Sequence, residues 1–470
     1  MTTRRDFLKQ MGVAAAGLGI APISSFAAGH SNNITAPKGD KVKIAFIGIG
    51  NRGEQDVDEF ARTGMIDVVA LCDVDLDGKQ TQKVLAKYPN AKRFRDFREM
   101  FEKYGNQFEA VVAAVPDHMH FPVAMMALDY GKHIYLEKPM TRTFIEAELL
   151  MQKARKNPNV VTQVGNQGHS EANYFQFKAW KEAGIIKDVT AITAHMNNPR
   201  RWHGYDANIS RFPEAQPVPK NMDWDTWLGQ WHDFSDKFHQ GNWRCWYDFG
   251  MGALGDWGAH ILDAAHEFLD MGLPYEISLT YEKGHNDYFF PYSSTILFRF
   301  GARGNMPPCD VTWYDGIDNL PPLPKGYGTS EYNADIPSTN QGDTPKANIN
   351  PGKIIYSRDL IFKGGSHGST LSIIGEKAEE MKSRLPEVPK SPSNHYANFL
   401  LACQGKEKTR SPFEINGVLS QVFCLGVIAQ RLNTQLFFDP RIKQFTNNAF
   451  ANALLAGMPP RKGWEDFYKV

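Results

Sequence analysis

The chain is poor in what would mark it for a polyanion or a lipid surface. Its 470 residues carry 52 Lys and Arg against 52 Asp and Glu, so no net charge drives it toward nucleic acid or anionic membrane. Cysteine is scarce: Cys72, Cys245, Cys309, Cys403 and Cys424 are scattered with no C-x-x-C pair, which excludes a disulfide framework and a cysteine zinc site. They read as buried thiols, with one bridge, Cys403 to Cys424 between two predicted helices, left open. His195, His203, His232, His239, His266, His285 and His367 lack a metal-ligand spacing such as H-E-x-x-H, so no metal is expected. Ser366-His367 has no nucleophile elbow around it, which argues against hydrolysis through serine. What remains is ordinary globular composition, 42% hydrophobic and 22% charged, at a length of two or three domains whose default partner is a small molecule.

The N-terminal apolar stretch, residues 11–22, is too short to span a bilayer. It follows Arg4-Arg5 and Phe7-Leu8-Lys9 and precedes the small-residue site Ser25-Phe26-Ala27, so residues 1–28 read as a signal peptide. The arginine pair resembles the twin-arginine export signal, whose machinery carries folded proteins, often with cofactor bound. Without Arg4, Arg5, Lys9 and Asp6 the balance is 49 basic to 51 acidic residues, still nearly neutral. The expected location is the periplasm or another exported compartment, with no membrane contact once the signal is cleaved. Residues 29–40 read as an N-terminal arm.

From residue 41 short β-branched runs alternate with amphipathic helices. Strands are predicted at 41–47, 68–72, 110–115, 133–136 and 160–164, and helices at 51–62, 76–87, 97–104, 122–130 and 144–156. Repeated β-α-β with short connections implies a doubly wound parallel sheet over 41–165. The remainder, 166–470, is predicted as an α+β domain with an open, mostly antiparallel sheet. Its helices fall at 171–183, 255–270, 394–403 and 415–431, and its strands at 189–196, 276–281, 294–300, 311–314, 353–356, 360–362 and 369–374. A Pro/Gly/Asn-rich excursion without periodicity occupies 315–350.

The first strand runs into Gly48-Ile49-Gly50-Asn51-Arg52-Gly53, a G-x-G-x-x-G turn opening a helix. Gly48 permits the tight turn, Gly50 lets backbone approach a pyrophosphate, and Gly53 allows close helix packing, while Asn51 and Arg52 begin the helix whose N-terminus faces the anion. Asp73, twenty residues after Gly53 at the end of the second strand, suits a ribose 2′-hydroxyl and disfavours a 2′-phosphate, so NAD is expected over NADP. A solvated turn acid beside Asp75 is the other reading of Asp73, and a solvated helix-start side chain the other reading of Arg52.

Further motifs follow: Pro116-Asp117-His118-Met119-His120, then Glu137-Lys138-Pro139, then Gly255-Asp256-Trp257-Gly258-Ala259-His260-Ile261-Leu262-Asp263. Together with the glycine turn, this series resembles the Gfo/Idh/MocA family from about residue 41 to the C-terminal tail. The resemblance implies a sugar, inositol or glycoside oxidoreductase with its nicotinamide between a Rossmann unit and an open sheet, and commonly a homo-oligomer packed through that sheet. It also implies Lys138 at the substrate hydroxyl, and Pro116, His120 and Glu137 near the nicotinamide. For His118 and His120 a strand-end cap stays open, and for Lys138 a salt bridge with Glu137 or another acid.

At about 100° per residue, Asp256, His260, Asp263 and Glu267 share one side of the 255–270 helix, opposite an apolar stripe. Carbinol oxidation needs a base for the hydroxyl proton as hydride leaves, and an imidazole oriented by a carboxylate suits it. His260 is the candidate base, with Asp256 or Asp263 orienting it or gripping a neighbouring hydroxyl. A buried structural network is the other reading of this stripe.

Seven of the ten tryptophans, Trp202, Trp224, Trp227, Trp231, Trp243, Trp246 and Trp257, lie within 202–257. Indole faces stack on sugar C–H surfaces, so the cluster, with Arg201, Trp243 and Arg244 as contacts, reads as a carbohydrate site. Packing of a long loop against the core, or a subunit interface, is the reading left open beside it. Three functions follow. The first is an exported oxidoreductase holding a non-dissociating NAD(H), since an exported compartment has no free NAD pool. The second is a redox-neutral NAD-dependent glycosidase working by oxidation, elimination and reduction, and the third a non-catalytic sugar or dinucleotide binder.

Overall fold

The computed structural model describes residues 41–198, 208–229, 232–239, 241–328 and 349–470. The signal and arm readings, and Arg201, Trp202 and Trp231 among the site residues, lie outside them.

Six short parallel strands form the first sheet: β1 (Val42–Ile47), β2 (Ile66–Cys72), β3 (Lys92–Phe94), β4 (Ala110–Ala113), β5 (His133–Leu136) and β6 (Thr162–Val164). Their spatial order is β3-β2-β1-β4-β5-β6, every pair parallel, which is the doubly wound order of a dinucleotide-binding sheet with its switch point between β1 and β4. Near-continuous burial along β1, β4 and β5 fits strands covered on both faces. The connecting helices are α1 (Arg52–Arg62), α2 (Lys79–Lys87), α3 (Phe97–Tyr104), α4 (Asp117–Asp129) and α5 (Phe144–Lys156). Two details differ from expectation. β3, with only its last residue buried, has no pattern to read. α4 starts at Asp117 rather than at Pro122, because Pro116 already holds the extended N-cap conformation (φ −59°, ψ 151°). Pro122 then sits inside the helix and leaves only one intrahelical acceptor without its donor.

The second sheet has nine strands, starting with β7 (Val189–Met196), which follows α6 (Ala172–Glu182). After α7 (Trp224–Leu228), α8 (Gly252–Ile261) and α9 (Asp263–Phe268) come β8 (Glu276–Lys283), β9 (Ser293–Phe300), β10 (Cys309–Asp315), β11 (Gly352–Ser357), β12 (Ile361–Gly365) and β13 (Ser372–Ile374). Next are α10 (Ala378–Lys382), α11 (His395–Cys403), α12 (Phe413–Leu432), β14 (Gln435–Asp439), β15 (Gln444–Phe445) and α13 (Ala449–Ala456). The order is β13-β12-β11-β7-β10-β9-β8-β14-β15, antiparallel except for β7 against β10. Buried α12 packs on α5, α8 and β8, locking the two sheets' layers together.

The C-terminal third returns to the first sheet. Tyr396, Phe399, Leu400 and Cys403 of α11 pack with Phe60 and Tyr135 over one face, while Trp464 meets Phe97 on the other. All five cysteines are buried, with Cys403 in this layer and Cys424 in the core of the second sheet, so the open bridge between them does not form.

The predicted 255–270 helix is two helices meeting at Leu262. Asp263 opens α9, its Oδ1 accepting from its neighbour Ala264 N–H at 2.7 Å.

Candidate active site

The glycine turn has the shape its spacing implies. A Cβ on Gly48 would stand 2.5 Å from Ala114 O, and Gly48 itself has φ +74°, a conformation open to glycine. A Cβ on Gly53 would stand 1.9 Å from Gly48 O, so α1 can lie this close only without a side chain. Gly50 is different: nothing comes nearer its absent Cβ than Gln80 Oε1 at 3.7 Å, leaving the backbone open to a ligand. Asn51 completes the turn at φ 49°, its N–H held by Gln80 Oε1 at 2.8 Å, a neutral acceptor that an anion can replace.

Asp73 ends β2 facing this turn. Its Oδ2 accepts from Ile49 N–H at 2.9 Å and its Oδ1 from Asp75 N–H at 3.0 Å. Burial pushes its carboxyl up from the usual carboxylate value, and the backbone donors partly oppose that. Asp73 is thus half-buried and anchored to the turn. Arg52 is engaged by partners within the protein. Its guanidinium pairs with Asp56 at 2.8 Å and Glu137 at 3.1 Å and donates to Tyr396 Oη at 2.9 Å. What α1 offers an anion is its backbone rather than this side chain. Glu137 is held in the same network, with Gln167 Nε2 at 3.2 Å.

At the carboxyl end of β5, Lys138 reaches across to α8. Its Nζ donates to Asp256 Oδ1 at 2.7 Å and to the Asp256 carbonyl at 2.8 Å, with both side chains largely buried. His120 braces the segment from below: its ring nitrogens face Pro139 O at 2.6 Å and Val115 O at 2.9 Å, after a turn begun by Pro116. Burial pulls the His120 imidazole down to about 4 while the two carbonyls favour its protonated form, and the ring holds the strand end, the reading left open for it. His118 is likewise buried, with Nε2 at 2.8 Å from Trp227 O and its pKa lowered by burial to about 3.

One turn beyond Asp256, His260 is 6% exposed, and its Nδ1 is buried without a partner. Burial holds the imidazole well below its ordinary pKa; His367 and Lys138 lower it further, and Asp256 works against them. The carboxylate expected to orient His260 is not where it was expected. Asp256 is engaged by Lys138. Asp263 lies 3.5 Å from His169 Nε2, and Glu267 stands 3.3 Å from the same ring. A second imidazole lies on His260 instead: His367, in the β12–β13 loop, stacks on it with centroids 4.1 Å apart and planes at 15°.

Asp117 at the start of α4 is a site residue that the sequence reading passed over. It is buried, accepts from Met251 N–H at 3.0 Å, and is pushed up to about 7 by burial, with Arg244 and Lys138 pulling down and Asp256 pushing up. Its place in Pro116-Asp117-His118 was the available signal. Arg244 acts on Asp117 and lies over the Trp243 ring, its guanidinium carbon 4.2 Å from the centroid. Trp243 is 8% exposed and packs with Trp224, Trp227 and Trp246, the first two stacked at 4.5 Å. These four indoles hold the long loop together, and a sugar-stacking face is not open on Trp243.

That loop is a strap across the carboxyl edge of the first sheet. Asp223 N–H donates to Val74 O at 2.9 Å, Asn221 Nδ2 to Asp75 Oδ1 at 2.7 Å, Arg95 to Asn221 O, and His118 N–H to Phe249 O at 3.2 Å. It runs from the tip of β2, where Asp73 stands, to α4.

The profile of the Gfo/Idh/MocA oxidoreductase family, NAD-binding Rossmann fold, matches residues 42–165, and that of the family's C-terminal alpha/beta domain matches 183–302. The chain belongs to the Gfo/Idh/MocA family. Among relatives of this Gfo/Idh/MocA chain, a glycosyl hydrolase family 109 protein of Shewanella pealeana is 29% identical over 236 residues, 43% of this chain and 50% of that one. An inositol 2-dehydrogenase of Salmonella paratyphi B is 27% identical over 175 residues, 37% of this chain and 48% of its own. The chain thus spans about half the length of the curated relatives it matches. The WlbA dehydrogenase from Bordetella pertussis, solved with NADH and UDP-GlcNAcA, shares the fold at 13% identity and a TM-score of 0.54, over 85% of this chain and 99% of that one.

Proposed function

We propose that the chain is an oxidoreductase that moves hydride between a tightly held NAD(H) and a hydroxyl-bearing carbon of a sugar or glycoside. The observation that carries this reading is the Lys138–Asp256 ion pair, which ties the carboxyl edge of the glycine-turn sheet to α8 one turn before His260. When bound, NAD supplies the acceptor and donor of hydride. The chain's own residues do the rest. The Lys138 ammonium, fixed by Asp256, can hold a hydroxyl oxygen and favour the charge that develops as its proton leaves. Buried, neutral His260 can take that proton. Open Gly50 and the start of α1 fit a pyrophosphate, and anchored Asp73 fits a ribose diol and repels a 2′-phosphate, favouring NAD over NADP.

Retention of the cofactor is supported by the strap, whose bonds to Val74, Asp75 and His118 bridge the edge along which a dinucleotide lies. A held cofactor suits export through the twin-arginine route and a redox cycle closed on the enzyme. The sugar class is supported by the names of its relatives, an inositol dehydrogenase and a dehydrogenase solved with a sugar nucleotide. The glycosyl hydrolase family 109 relative favours a second reading, in which oxidation, elimination of the aglycone and re-reduction cleave a glycoside with no net redox change.

The test is to denature the purified protein, identify the nucleotide released, and follow nicotinamide absorbance in the intact protein across a sugar panel. About one NAD(H) per chain, reduced by some sugars and reoxidised by others, is expected. No nucleotide in the denatured protein, and no absorbance change with added NAD, would sink the reading. Cleavage of aryl glycosides without external NAD selects the second.

A further inference from the structure

Of the groups around His260, one has no place in the chemistry above: His367. It arrives from the β12–β13 loop, far along the chain, yet its ring covers that of His260 almost in parallel. The placement is built rather than incidental. His367 N–H donates to the His260 carbonyl at 3.1 Å, its Nδ1 lies 3.0 Å from the buried Ser366 hydroxyl, and the Trp257 indole meets its ring edge-on at 5.6 Å. To reach this position His367 takes φ 53°, a left-handed conformation that a side-chain-bearing residue adopts only when its surroundings enforce it. His367 is also the more exposed ring of the pair.

We propose that His367 is the positioning residue of His260: it fixes the plane of the imidazole and, by standing against it as a second protonatable ring, keeps His260 free of a proton. It takes the orienting role that a carboxylate would have had, with opposite electrostatic effect. A carboxylate beside His260 would raise its proton affinity, whereas a stacked imidazole lets the pair hold one proton at a time, on the more exposed His367. The other charged groups acting on His260 are Lys138 at the end of β5 and Arg52 on α1, which oppose its protonation, and Asp256 on α8, which favours it. The base thus stays free of a proton.

The inference rests on His260 as the base of the proposed oxidoreductase, but its test needs neither substrate nor turnover. Histidine side chains of the full-length protein are labelled with nitrogen-15 and titrated by NMR, the His260 signal being assigned by its loss in His260→Gln. In the parent protein His260 titrates well below a free imidazole. In His367→Phe, which keeps a flat ring without a charge, its midpoint rises by about one unit, a tenfold change in the neutral-to-charged ratio. In His367→Lys, which keeps a charge, it stays low. An unmoved His260 midpoint in His367→Phe overturns the proposal, as does an equal rise in His367→Lys, since packing alone would then account for it. If the midpoints move as stated while no sugar reduces the cofactor, the pairing stands and the oxidoreductase reading falls. Where a substrate is found, the acidic limb of kcat/KM moves with the His260 midpoint.

Discussion

The two walls of the cleft are made of different materials. On the dinucleotide side the shape is backbone: Gly48, Gly50 and Gly53 lie within six residues, and two of their absent side chains would strike carbonyls of β1's own turn or of the turn after β4. On the other side the shape is made by side chains brought from far apart, Lys138 to Asp256 across 118 positions and His367 onto His260. The first wall tolerates almost no added atom. The second depends on the charges its side chains bring together.

Substitutions on each side test that contrast. Lys138→Ala removes the ammonium and leaves the glycine turn untouched, so turnover falls by about 10²–10⁴-fold while bound nucleotide per chain stays at the parent value. A matching loss of nucleotide would show that the walls are not separable. Gly53→Ala sets a methyl 1.9 Å from Gly48 O and acts on the other wall, lowering stability by about 1–3 kcal/mol in chemical denaturation and emptying the site of nucleotide. A full complement of nucleotide in that variant would refute the backbone account. Asn221→Ala cuts the strap's 2.7 Å bond to Asp75 and touches neither wall's chemistry. Release of nucleotide into a trap should accelerate about tenfold, equivalent to about 1.4 kcal/mol, with turnover at saturating NAD unchanged.

The same contrast explains what was legible in the sequence. Glycine spacing, an acid twenty residues later and alternating β-α runs are local signals, and the first sheet follows them except at β3, which carries no pattern, and at Pro122, which lies inside a helix rather than at its start. The Lys138 and Asp256 motifs were visible as residues but not as a pair. His367 was read only for a metal or a serine partner, since nothing nearby in the chain points to His260. The stripe through Asp256, His260, Asp263 and Glu267 did not show its partners: Asp256 meets Lys138, while Asp263 and Glu267 meet His169. For the tryptophans, composition reported a cluster but could not tell an inward face from an outward one, and Trp224, Trp227, Trp243 and Trp246 face one another.

Asp117 offers the smallest change and the most direct view of the charge-sensitive wall. Its carboxyl sits near 7 in the folded chain and near 3.9 in an unfolded one. Below about pH 4 it is protonated in both states and contributes nothing. Between these values the folded chain holds a proton that the unfolded chain has released, so stability falls as pH rises, and above 7 the whole penalty is present. Arg244 and Lys138 reduce that penalty and Asp256 adds to it. Asp117→Asn keeps an acceptor for Met251 N–H and removes the titration, so it should stabilise the protein by on the order of 1 kcal/mol at pH 8 and by nothing at pH 4. Denaturation midpoints of variant and parent, measured at both pH values, decide it: a gap that is constant with pH would mean that Asp117 is held ionised by Arg244 and Lys138, and that this wall neutralises its buried carboxylate by pairing rather than by protonation.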